Sequence, residues 1–402
     1  MFQPEQLPTP ERSHNGAVRD GIQITGTLDD VLTLTLIGIV VSGGDFKHDC
    51  LKWWRATWAL AKELRLGQEV GEASQHTLGN PDSPYEGAQS STQGDSTYSI
   101  GGGSMTEEEK EERRRTWWLL FIADRHLALS FNTPLSILEA ECHLYQPLDD
   151  ATWQDFDPDY PKDRYFGPST KFTGPGLFEF FLPLMVILGD IVDIHHRSYH
   201  PRFGALENIA AINQVESLLE EYEKSLNFVG HSPSSSLGHS NTDFQPPRLP
   251  NIHSQFNLPH SPPTFPPSFS TEARTKIVIA YATHILHVLH ILLHGKWDPI
   301  SMLDDLDHWT TSPSFVKCAS HSVSAAEAVS QILKFDPELS FMPYLFGIYL
   351  LHGSFILLLF ANKMQIEANP TVRQACETMI RAHEVCVATL NTEYQVCYIL
   401  GR

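Results

Sequence analysis

Apolar residues return every three to four positions through three blocks of the chain, about 27–66, 106–228 and 271–399. Alternating Val, Ile and Thr runs bounded by turn residues are nearly absent. That spacing predicts helices rather than strands. Leu51, Trp54, Trp58 and Ala61 share one helical face, with Gly67 as a natural stop. A second helix should start at Thr106, whose hydroxyl can accept from the N–H of Glu109 while Glu109 reaches back, a capping box. Glu107, Glu108 and Glu109 sit at the positive end of its dipole. Glu109–Arg113 and Glu111–Arg115 are i,i+4 pairs in the favourable order. Pro134 pushes Thr133 out of the helical region, so the helix should end near Phe131. Its length is then about 37 Å at 1.5 Å per residue. Asp124 falls in the apolar stripe of Trp117, Leu120, Phe121, Ala128 and Phe131, and its neighbours one turn away carry no charge. A buried carboxylate must be paired, so Asp124 should find a partner on another element.

Between the apolar blocks lie two linker-like insertions. Residues 67–105 are rich in Gly, Ser, Gln, Asp and Pro; residues 229–270 are rich in Ser, Pro, His and Asn. Neither holds enough apolar surface to offset ordering entropy, and both are expected to be disordered, as are residues 1–26. No repeat of fixed period is present. The fold expected is all-α, a large multi-helix domain over 27–399 interrupted by the two insertions.

Residues 341–361 are long and apolar enough to cross a bilayer. Pro343, Gly347, His352, Gly353 and Ser354 argue against that, and no Lys/Arg cluster flanks the segment. The centre of a large helical core is equally apolar all round, and that is the reading adopted.

Composition narrows the function. The 402 residues carry 28 Lys and Arg against 48 Asp and Glu, a net charge of −20. Such a chain repels phosphate on average. Its densest basic run, Arg113-Arg114-Arg115, directly follows a string of glutamates. Cys50, Cys142, Cys318, Cys376, Cys386 and Cys397 form no CxxC pair, against a zinc cluster within this chain. The start shows no signal peptide, so an intracellular protein with reduced thiols is expected.

Candidate chemistry is sparse. His284, His287, His290 and His294 spread over about 120° of one helix, an arrangement that could share an ion. No HExxH pattern supports it, and histidines bonded to neighbouring helices, or a polar helix face, fit better. Asp155–Asp159 imitates the start of a calcium loop, but Tyr160 stands where Gly is required and Phe166 where the bidentate Glu belongs. Cys142 beside His143 reads as a buried structural thiol. GxSxG, P-loop and GxGxxG motifs are absent. Nothing here asks for catalysis, and an interaction or regulatory module fits better than an enzyme.

The stretch Arg113–Trp118, through Ala123-Asp124-Arg125-His126, to Asn132-Thr133-Pro134-Leu135-Ser136-Ile137 resembles the signature of the fungal-specific transcription factor domain, the middle regulatory region of zinc-cluster regulators. Further blocks resemble the xylanolytic transcriptional activator family: His200–Gly204, Tyr281–Leu293 with Gly295–Ile300, Phe341–Leu359, and Ala375–Thr378 through Asn391–Gln395. The resemblance implies a nuclear activator of hemicellulase and cellulase genes, held silent by its helical middle until a pentose-type inducer appears. It marks Trp117, Trp118, Asp124, Arg125 and Pro134 as structural or regulatory residues, with Asp124 and Arg125 fixing the packing of the 107–131 helix. Family members bind promoter DNA through an N-terminal cluster of six closely spaced cysteines that holds two zinc ions. That cluster is absent from this chain, so zinc and DNA contact are expected only outside it. The ending Val396–Arg402 also departs from the family, as a truncated gene product or a fragment would. Other expected partners are a second copy or other regulators, and the alternative reading is a DNA-free protein that dimerises with full-length regulators and modulates them.

Overall fold

A computed structural model describes residues 26–42, 49–70, 105–157, 164–202, 204, 208–231, 271–304, 308–364 and 370–390. Among them are eleven α-helices and no strand longer than an isolated bridge. They are α1 (Leu28–Ser42), α2 (Cys50–Glu63), α3 (Glu107–Phe131), α4 (Asp150–Gln154), α5 (Leu177–Ser198) and α6 (Ile209–His231). The second half holds α7 (Thr271–His294), α8 (Pro299–Asp304), α9 (Pro313–Phe335), α10 (Pro343–Met364) and α11 (Pro370–Leu390). The expected all-α class is found. Most of the two insertions, and residues 1–25, lie outside the described residues.

The capping box at Thr106 and Glu109 forms as the sequence predicts. Glu109 is occupied by the cap, so Arg113 turns instead to the end of α2, where it donates to the carbonyls of Leu64 (2.8 Å) and Arg65 (3.4 Å). A guanidinium at a helix C-terminus meets both the orphan carbonyls and the negative end of the dipole. Helix α3 stops at Phe131 because Asn132 adopts the left-handed conformation, φ 48°, ahead of Pro134.

The first insertion begins later than its composition suggests. Residues 67–70 belong to the packed domain. Gly67 lies under Trp117, and a Cβ there would come within 2.6 Å of the indole. Gly67 O accepts from His143 N (2.7 Å) and Glu69 N donates to His143 O (2.8 Å), while Gln146 N donates to Tyr165 O (2.8 Å). Segment 142–146 is thus pinned between 67–69 and 165–167, alongside α3. Helix α6 likewise runs through His231, past the expected boundary at 229. Helix α2 ends before Gly67, at Glu63, with Leu64 as its C-cap and Arg65 at φ 51°.

One apolar core runs from Val31 to Cys386, built from α1–α3, α5–α7 and α9–α11. Helix α7 is its axis, packed on α5, α6, α9 and α10. Over an 18-residue window within Glu272–His294 its mean hydropathy is 1.7, enough by length and composition to cross a membrane, and 78% of that window is buried among the other helices. Helix α10, within the stretch tested in sequence, buries Phe346, Tyr349, Leu350 and Leu357 against the same core, and Ile356 in a smaller cluster with Ile291 and Cys318. Trp297 stacks on His195 with ring centres 3.8 Å apart, joining the ends of α5 and α7.

Candidate functional site

The residues singled out on α3 meet in one buried region. Asp124 is 1% exposed and Arg125 is 2% exposed. The carboxylate of Asp124 accepts from Ser136 N (3.0 and 3.2 Å) and Ile137 N (3.0 Å). Arg125 Nη1 donates to it at 3.1 Å. The expected partner from another element is therefore the backbone of the loop leaving α3, and the ionic partner is the adjacent residue. Burial pushes the Asp124 carboxyl up, and Arg125 with the two N–H groups pulls it back. Burial likewise pushes Arg125 down, against the pull of Asp124. The guanidinium carbon lies 3.3 Å from the centre of the Phe121 ring, a desolvated cation–π contact. Gly189 of α5 passes beside it, leaving room for the guanidinium.

Trp117 and Trp118 hang segment 142–146 from α3. Trp117 Nε1 donates to Cys142 Sγ (3.3 Å), and Trp118 Nε1 donates to Tyr145 O (2.8 Å). Burial pushes the Cys142 thiol up to about 11, so it is an inert packing group. Pro134 is exposed and outside this cluster; its part is confined to the turn after Asn132.

Sequence reasoning did not find the second buried network, between three and four turns before Asp124 on α3. Glu111 is 0% exposed. It accepts from Leu148 N (2.7 Å), Arg114 (3.3 Å) and Arg164 (3.3 Å), and lies 3.5 Å from Arg115. Arg114 grips Glu69 with two N–H groups, one at 3.0 Å. Arg115 donates to Leu148 O (2.9 Å) and Asp150 (3.3 Å), and Asp150 also meets Arg274 of α7 (3.2 Å). The spacing of Glu111 to Arg114 and Arg115 was a visible signal; nothing marked Glu69, 45 residues away. The basic run Arg113–Arg115 is thus spent on internal carbonyls and carboxylates.

The four histidines of α7 separate. His284 bonds Ala325 O (3.0 Å), His287 meets His321 (3.1 Å), His290 stacks on His321 (4.1 Å), and His294 lies 2.8 Å from Glu216. Each faces a neighbouring helix rather than a common ion. Among the described residues no group of three His, Cys, Asp or Glu is arranged to hold a metal. The five described cysteines are free and scattered, so the donor set of a zinc cluster does not come together in them. The calcium-like segment 155–159 lies partly outside the described residues; Phe156 packs edge-on against Trp153.

Residues 50–227, which include both α3 networks, match the model of the fungal specific transcription factor domain. The match spans α2 to most of α6. It is 45% identical over 400 residues to the xylanolytic transcriptional activator xlnR of Neosartorya fischeri, covering 92% of this chain and 41% of that protein. To the activators of the same name from Aspergillus niger and Emericella nidulans it is 45% identical over 391 and 393 residues, covering 92% of this chain and 41% and 42% of theirs. The chain therefore spans about two fifths of the length of the curated relatives it matches. No solved structure matches it. In this domain α3 is the member that ties α2, segment 142–150 and α5 together, through buried ions as well as apolar packing.

Proposed function

We propose that this chain is the regulatory region of a fungal, nuclear transcription activator of xylanolytic and cellulolytic genes, and that it acts without catalysis. The observation that carries this reading is 45% identity across 92% of the chain to xylanolytic activators. DNA contact would come from a zinc cluster outside these residues, since Arg113–Arg115 face inward and the net charge is −20. The α3 networks give the domain its regulatory character. Buried ion pairs hold one packing strongly and oppose any packing that separates the partners. A domain with two packings can then be biased by a small inducer of the pentose type that binds one packing better.

The test fuses all 402 residues between a heterologous DNA-binding domain and an activation domain. A reporter should stay silent without D-xylose and turn on with it. A reporter equally active or equally silent in both conditions overturns the reading.

A further inference from the structure

Helices α7 and α9 run antiparallel, with Tyr281 opposite Asp336, His284 opposite Ala325, and Ile291 opposite Cys318. Along one side of this pair the two helices present matching stripes. On α7 the stripe runs from Lys276 to His287; on α9 it runs from Ser324 to Phe335. Each covers twelve residues, a rise of about 16 Å along the helix. At the middle of the stripes stand Ala280 and Ala328, both buried. Two methyl groups where larger side chains would meet leave a trough of about 420 Å³. That is within the ~300–1,000 Å³ usual for small-molecule sites.

Six of the ten residues lining the trough have polar side chains, set in a lining surface that is mostly apolar. Thr283 donates its hydroxyl proton to Ile279 O (2.7 Å), so its oxygen is left to accept from a ligand. His287 also lines the trough and spends Nδ1 on His321 (3.1 Å). Burial and the neighbouring histidine hold this imidazole down at about 4, neutral at physiological pH. Ser324 and Gln331 add a hydroxyl and an amide from α9. Lys276 lines the groove from α7 and is paired with Glu272 (2.7 Å), and Glu327 lines it from α9, so no unpaired cation is offered to an anionic ligand. The floor is apolar, with the Phe335 ring at the Lys276 end. None of the large apolar side chains exposed on the described surface lies in the trough, so it lacks the protruding anchors a protein partner would seize.

Hydroxyl, imidazole and amide groups without a free cation, set among apolar residues that include one aromatic ring, match a ligand with hydroxyl groups and apolar C–H faces. We propose that the α7–α9 groove binds a neutral, polyhydroxylated small molecule, of monosaccharide to disaccharide size. The proposal deepens the functional reading above, by assigning the place where an inducer acts, and in that sense rests on it.

The experiment is titration calorimetry on the full chain with D-xylose, xylobiose and xylitol, and with D-xylonate as an anionic control. Two variants test the place. Gln331→Ala removes an exposed amide and should leave the fold intact; Ser324→Phe fills the His287 end. Binding of at least one neutral probe is expected, weakened at least tenfold in both variants, with unchanged thermal midpoint in Gln331→Ala. No binding by any neutral probe, binding unchanged in both variants, or tighter binding of the anion overturns the proposal. A reporter fusion that responds to D-xylose while the chain binds no neutral probe defeats the groove and spares the functional reading. Probe binding with an unresponsive reporter does the reverse.

Discussion

Replacing Asp124 by Ala tests how far α3 depends on its buried ions. The substitution removes the counter-ion of Arg125, which is 2% exposed, and two acceptor bonds from Ser136 and Ile137. Leaving one member of a buried pair typically costs ~3–5 kcal/mol. The orphaned N–H of Ile137, in a buried residue, adds to that, although the contributions overlap because water can enter the space left by the carboxylate. A loss of about 4 kcal/mol is expected, close to a thousandfold in the folding constant. Against a total stability of ~5–15 kcal/mol that is a large share. The assay is urea unfolding followed by far-ultraviolet circular dichroism and by Trp fluorescence, with equal slopes required before midpoints are compared. Arg125→Met and the double variant complete a cycle. The single variants should each be costly. The double variant should cost at least about 1.5 kcal/mol less than their sum, since it leaves no lone charge. A loss below about 1 kcal/mol for Asp124→Ala, or additivity within about 0.5 kcal/mol, would refute the reasoning.

Acid should destabilise the fold. His126, His284, His352 and His383 are held by burial at about 4, below the ordinary 6.5. Between pH 6.5 and about 4 the unfolded chain binds protons that the folded chain refuses, so stability falls as pH falls, by about 3 kcal/mol for the fully buried His284 alone. Unfolding free energies measured from pH 7.5 to 5 should therefore rise with pH, and a flat or falling profile would count against neutral buried imidazoles. Asp190 works in the opposite direction: burial, then Glu139 and Asp193, push it up to about 6. The folded chain alone keeps that proton between pH 3.8 and 6, so above pH 6 the charge is a burden. Asp190→Asn should stabilise the protein by about 1–2 kcal/mol at pH 7, allowing for its partial exposure, and by nothing below pH 4; an unchanged melting temperature at pH 7 would contradict this. Gly67→Ala sets a methyl group within 2.6 Å of Trp117 and should cost about 1–3 kcal/mol, with a shift in Trp emission as the second readout.

Local physics was legible along the chain. The boundaries of α3 followed from Thr106, Glu109 and Pro134, because capping and proline sterics act within a few residues. The all-α class followed from apolar spacing, and the burial of α10 from its Pro, Gly, His and Ser residues and the lack of a flanking Lys/Arg cluster. The signature around Trp117, Asp124 and Arg125 pointed to the family whose model matches residues 50–227. Three features were settled only by tertiary structure. The basic run Arg113–Arg115 turned inward because carboxylates and carbonyls from Leu64 to Asp150 converge on it. Residues 67–70, polar and Gly-containing, joined the packed domain because Glu69 meets Arg114 there. The four histidines of α7 share a helix but divide among three partners on α6 and α9: Ala325, His321 (met by both His287 and His290) and Glu216. In each case the deciding group is distant in sequence, and a charge or hydrogen bond is satisfied by whatever the fold brings within 3–4 Å, which local spacing does not encode.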